Sequence, residues 1–193
     1  MQGPDVFPLA AWESFYVIIG SSSAALTGLM FVVISLVSEG RARQDAESGL
    51  AAFGTPTIVH FCAAFLVSAI ASAPWHSISN ATFLVGLVGL VGVAYALVVT
   101  WRAHRQTDYK PVLEDWLWHT IFPLVAYATF IAAATTTQNT STSALFATAA
   151  AAISLLFIGI HNAWDAVTYS ALVRRAAGAE ATGPADAGPK GVA

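Results

Sequence analysis

Residues 48–101, SGLAAFGTPTIVHFCAAFLVSAIASAPWHSISNATFLVGLVGLVGVAYALVVTW, run for 54 positions without an Asp, Glu, Lys or Arg. A helix crossing the hydrocarbon core of a bilayer needs about 20 apolar residues, so this stretch has room for two. The polar, proline-containing run Ala73-Pro74-Trp75-His76-Ser77-Ile78-Ser79-Asn80 divides it into predicted spans over 55–73 and 81–101. Thr55-Pro56 suits the start of the first of these, with Thr as N-cap and Pro at the first helical position. Leu50 to Phe53 would then be a short interfacial lead-in.

Working outward, two more uncharged stretches flank this one: 25 residues between Glu13 and Glu39, and 49 between Asp115 and Asp165. The first reads as one helix over 15–37. The second breaks at the polar run 135–143 into spans over 116–134 and 144–165, with a kink expected at Pro123. The predicted fold class is therefore all-α, a polytopic membrane protein with five transmembrane helices in one bundle (1–176). A disordered tail is expected over 177–193, where 12 of 17 residues are Ala, Gly or Pro. Only 10% of the chain is charged, against about 25% in a soluble domain. A net charge of −3 gives no electrostatic footprint for nucleic acid.

Basic residues predict the orientation, because Lys and Arg in short loops mark the cytoplasmic side. All eight fall on one side of the five-span scheme: Arg41 and Arg43, then Arg102, Arg105 and Lys110, then Arg174, Arg175 and Lys190. The N-terminus is thus expected outside and the C-terminus in the cytoplasm. Trp12 and Trp75 fall at the outer boundary and Trp101, Trp116, Trp118 and Trp164 near the inner one, as interfacial anchors do. The N-terminus lacks the basic region of a signal peptide, so the first span is expected to be retained. Arg outnumbers Lys six to two and alanine abounds, which suggests a high-GC bacterium and its inner membrane.

Helices in lipid associate through small residues and polar contacts. In the first span Ser14, Ser21, Gly28 and Ser35, with Ala24, form one stripe, and Gly20, Ala24 and Gly28 form a small-xxx-small ladder. Gly89 lies on a similar face of the third span with Thr82 and Ala96. Further stripes are Asp115, His119, Ala126 and Ala133 in the fourth span, and Ala147, Ala150, Ser154, His161 and Asp165 in the fifth. The second span offers a weaker one, His60, Ala64 and Ala71. Cys62, the only cysteine, reads as a small packing residue. These faces could equally serve a homo-oligomer or another membrane protein.

Ionisable residues at membrane depth are costly and usually face the bundle interior or water. Helix direction brings His60, His119, His161, Asp115, Asp165 and Glu39 to the cytoplasmic half. Asp115/His119 and His161/Asp165 are spaced i,i+4, on one helical face each. In such pairs a carboxylate can fix the imidazole tautomer. Zinc or another imidazole-binding metal could take His60, His119, His161 and Asp165, two histidines could ligate haem, or the group could relay protons in a transporter. The chain carries no nucleophile elbow, Walker loop, His-Glu-x-x-His or phosphate-binding glycine loop, so no catalytic residue is assigned.

Phe15-Tyr16-Val17, Gly20 and Ala24 to Val32, together with His161-Asn162-Ala163-Trp164-Asp165, resemble bacterial multi-span inner-membrane proteins over about a fifth of the chain. The resemblance implies no activity. The leading expectation is a protein that binds or moves an ion or small solute. A metal- or haem-binding redox or enzymatic subunit and a structural partner of a membrane complex are the alternatives.

Overall fold

A computed structural model describes residues 9–38, 43–105, 113–136 and 142–181, with side chains outside 37–38, 43–54, 103 and 169–181. A short 3-10 turn, Ala10–Trp12, leads into α1 (Glu13–Ser38), followed by α2 (Arg43–Ser72) and α3 (Ile78–Arg105). Next come a single turn, α4 (Leu113–Trp116), a π-helical turn (Leu117–Ile121), α5 (Phe122–Thr136) and α6 (Thr142–Ala181). The described residues contain no strand. Five segments are long and apolar enough to cross a membrane: Ala10–Leu36, Thr55–Ser72, Ile78–Arg102, Leu113–Thr136 and Thr142–Thr168. Each lies within a few residues of its predicted span.

Two helices outrun the apolar stretches that announced them. α2 begins at Arg43 and passes through Pro56, so Thr55-Pro56 does not start it. The preceding residues include Arg43, Gln44, Glu47, Leu50 and three alanines, good helix formers that extend it beyond the apolar segment. α6 likewise continues to Ala181, so the first five residues of the expected tail are helical. Their alanines again supply the propensity. At Pro123 the disturbance takes the form of a wide turn, in which the Phe122 N–H bonds to the Leu117 carbonyl. Proline cannot donate to the preceding turn, and the π turn absorbs that missing bond just ahead of it.

α1 packs on α2, α2 on α6, α6 on α5, and α5 on α3. The apolar segments of α2 and α6 are 56% and 50% buried, against 22% for those of α1 and α3. α2 and α6 are therefore the centre of the bundle. The expected faces of α2 and of the fourth span hold: His60, Ala64 and Ala71 are buried, as are Ala126 and Ala133. On α1 the stripe is reversed. Ser14, Ser21, Ala24, Gly28 and Ser35 are exposed, while Tyr16, Ile19, Gly20, Ser23 and Met30 face inward. Gly20 alone of the ladder meets another helix, at Ser68, and a Cβ on Gly28 would touch nothing within 4 Å. On α6, Ala150, Ser154 and Asp165 are also exposed, and Cys62 of α2 faces outward.

The closest approaches are made elsewhere. Gly89 of α3 lies against the Tyr127 carbonyl and Phe130 of α5, and Gly92 receives the Tyr127 ring itself. Gly159 of α6 receives the Phe61 ring of α2, which a Cβ would meet at 2.5 Å. Replacing Gly92 with alanine should cost about 1–3 kcal/mol through overpacking, because a fixed aromatic ring occupies that space. Gly28→Ala should change stability by less than about 0.5 kcal/mol. Thermal unfolding of the two variants in detergent checks the contrast, and equal losses would contradict this packing.

Candidate functional site

The expected cluster assembles as a line that runs from one end of the bundle inward. At that end, which carries Arg102 and Arg105, His161 of α6 lies between two carboxylates. Its Nδ1 is 3.4 Å from Asp165 Oδ2 one turn along the same helix, and its Nε2 is 3.8 Å from Glu114 Oε1 of α4. Both carboxylates are open to the surroundings, with side chains 72% exposed for Glu114 and 48% for Asp165. Trp118 stands edge-on to the imidazole at 3.9 Å between ring centroids. Trp118 also lines a groove of about 400 Å³ between α5 and α6, with Phe122, Ala126, Ala150, Ser154 and Phe157.

His119 follows on the π turn. Its Nδ1 lies 3.2 Å from the backbone carbonyl of Asp115, so the i,i+4 spacing orients the ring through the main chain. A backbone carbonyl on Nδ1 selects the tautomer as effectively as a carboxylate would. His119 lies within electrostatic reach of Asp115, Asp165 and His161 on one side and of His60 on the other. It is the link between the exposed end of the line and its interior.

His60 marks the interior end. It is 2% exposed, and its Nδ1 is 2.9 Å from the Tyr127 hydroxyl of α5, a residue itself fully buried. Its helix neighbour Phe61 rests on Gly159, which fixes its depth relative to α6. The six residues from Gly159 to Asp165 rise about 9 Å along the helix, so His60 lies well inside the carboxylate level. Three residues from Gly159, within about one turn of His60, is Asn162. It is fully buried, and neither atom of its carboxamide has a hydrogen-bond partner among the described residues. Thr57, also fully buried, is one turn from His60 on α2.

Among the described residues no three His, Cys, Asp or Glu side chains are grouped as a metal requires. His60, His119, His161 and Asp165 accordingly form no such group among the described residues. They are not gathered round a point, as tetrahedral ligands near 2 Å must be. Glu39 lies outside the described residues.

Glu114, Tyr127, Trp118 and Asn162 were absent from the residues expected at the site. Glu114 and Tyr127 join through partners distant in sequence. Trp118 is an interfacial tryptophan that also packs on His161. Asn162 carries a local signal, a carboxamide inside a long uncharged run.

Tyr127→Phe should lower stability by about 1–3 kcal/mol, because it leaves the His60 nitrogen buried without its partner. Adding His60→Leu should recover much of that loss, since two apolar side chains leave nothing unpaired. Unfolding curves of the single and double variants test this, and additive losses would contradict the pairing. Comparison with protein-family models, curated proteins and solved structures finds no match to this chain.

Proposed function

We propose that the chain is a multi-pass protein of a bacterial inner membrane that binds and moves a small polar solute or ion, with its site open toward the cytoplasm. The observation that carries this reading is the line of polar side chains from His161, between Glu114 and Asp165, through His119 to the buried His60–Tyr127 pair. Ionisable groups are rare inside membrane-spanning segments and usually serve a pathway. Here three of the five apolar segments contribute to one such line, which starts at the end of the bundle where every basic residue of the sequence is expected.

In this reading the five apolar segments span the bilayer, and the basic loops hold the Arg102 end in the cytoplasm. Arg105 stacks its guanidinium 3.9 Å from the Trp101 ring centroid, an arrangement suited to the headgroup region. Glu114 and Asp165 form the mouth, and His161 exchanges protons with them as solute enters. His119 and His60 continue the path inward. A metal centre is the less supported alternative, since no three His, Cys, Asp or Glu side chains are grouped among the described residues.

The test uses the full chain in proteoliposomes, with a panel of protons, sodium, potassium, chloride and acetamide as permeants. At least one should cross faster than in protein-free vesicles. His161→Asn and Asp165→Asn should each reduce that flux by about tenfold or more, as expected for ionisable groups at the mouth of a pathway, with unchanged melting temperature. Equal flux in wild type and variants would refute the role of the cluster.

A further inference from the structure

The depth at which charge stops along this line restricts what the inner site can hold. Resting on the transport reading above, we infer that the solute is a small uncharged molecule bearing both a hydrogen-bond donor and an acceptor, as a simple carboxamide does, bound at the level of His60, Tyr127 and Asn162. Ions would serve at most at the mouth.

Two independent observations carry this. The first is the distribution of charge. Glu114, Asp115 and Asp165 all lie at the Arg102 end, and beyond them the apolar segments hold no Asp, Glu, Lys or Arg: none in 14–36, 55–72, 78–101, 116–136 or 142–164. A bare cation or anion passing inward from Asp165 leaves its last fixed counter-charge behind, which is prohibitive in an apolar interior. An uncharged solute meets no such barrier.

The second is the carboxamide of Asn162. It is fully buried and has both its donor and its acceptor open among the described residues. Its complement is a molecule that offers an acceptor to the NH₂ group and a donor to the oxygen. His60 and Tyr127, within about one turn in depth, add neutral groups that donate and accept. Every described polar group at this level is a hydrogen-bonding group without fixed charge. The site therefore selects by hydrogen-bond pattern, the kind of recognition that discriminates strongly against analogues lacking one group.

Two features give such a solute room to enter. The groove between α5 and α6 has Trp118 in its lining, and Trp118 also stands edge-on to His161. Trp118 and His119 both lie on the π turn ahead of Pro123, where the ladder of backbone hydrogen bonds is already interrupted. A shift of that turn towards α-helical geometry would rotate both side chains together.

Stopped-flow light scattering on proteoliposomes of the full chain tests the inference. With acetamide as permeant, wild-type vesicles should swell several-fold faster than protein-free ones, while remaining tight to sodium, potassium and chloride. Asn162→Leu should lower the acetamide rate by about tenfold, the worth of a lost hydrogen-bond pair. Its melting temperature should be equal or higher, because an open buried amide is replaced by an apolar side chain. Ion flux through the protein with acetamide at the protein-free rate would overturn the inference and leave the transport reading standing. No flux of any permeant would overturn both. A melting temperature lowered by Asn162→Leu would make Asn162 a structural residue and overturn the inference. If that variant does not fold, the wild-type comparison of acetamide with the three ions decides alone.

Discussion

Tyr127 is the side chain on which the bundle turns. Its ring lies against Gly92 of α3, its carbonyl faces Gly89, and its hydroxyl reaches His60 of α2. One residue of α5 thus fixes the spacing of α3 and the depth of α2. The arrangement requires two conditions at once. α3 must present a surface without Cβ atoms where the ring lands, and α2 must present a polar group where the hydroxyl ends. In an apolar interior the second condition carries weight, because a buried tyrosine hydroxyl usually finds a partner. Phe61 on Gly159 repeats the device between α2 and α6, so the two central helices are each located by an aromatic ring seated on glycine.

The five helices were legible in the sequence because charge is excluded from them, and exclusion needs no knowledge of neighbours. Their true ends were not, since hydropathy records where a helix is apolar and not where it is helical. Arg43 to Gly54 and Tyr169 to Ala181 are helical on propensity, outside the stretches that apolarity could mark. At the site, the His161–Asp165 pair was legible because it is local to one helix. Its second carboxylate, Glu114, was not, because it comes from another helix. Nor was the bond from His60 to Tyr127, which joins residues 67 apart.

The stripe that failed on α1 failed for a definite reason. Small and hydroxylated residues predict an interior face because helices in lipid associate through small residues and polar contacts, which presumes that a hydroxyl seeks its partner on a neighbouring helix. A helix supplies that partner itself. The Ser35 hydroxyl donates to the Phe31 carbonyl, that of Ser154 to Ala150, and those of Thr129 and Thr168 to the carbonyls four residues before them. Such back-bonding satisfies the donor without any neighbouring helix, so Ser and Thr can face outward at little cost. Hydroxyls therefore occur on both sides, Ser68 back-bonding to Ala64 while buried, and a polar group that a single helix cannot satisfy marks the interior more firmly. An imidazole has two nitrogens and a carboxamide has three hydrogen-bonding capabilities beyond what the preceding turn can take. His60 and Asn162 are buried; the serines of the expected α1 stripe are not.

That distinction bears on what Asn162 is doing in α6. A buried amide with open groups costs about 1–3 kcal/mol, a sizeable part of the roughly 5–15 kcal/mol that holds a domain folded. Leucine at that position would remove the cost and keep the same heavy-atom branching. The neighbouring level of the bundle shows how readily this chain fills such space with apolar groups, in Leu155, Leu156 and Ile158. A residue that lowers stability where an apolar one would fit is best explained by a partner from outside the chain. The charge-free interior around it makes an uncharged partner the economical choice.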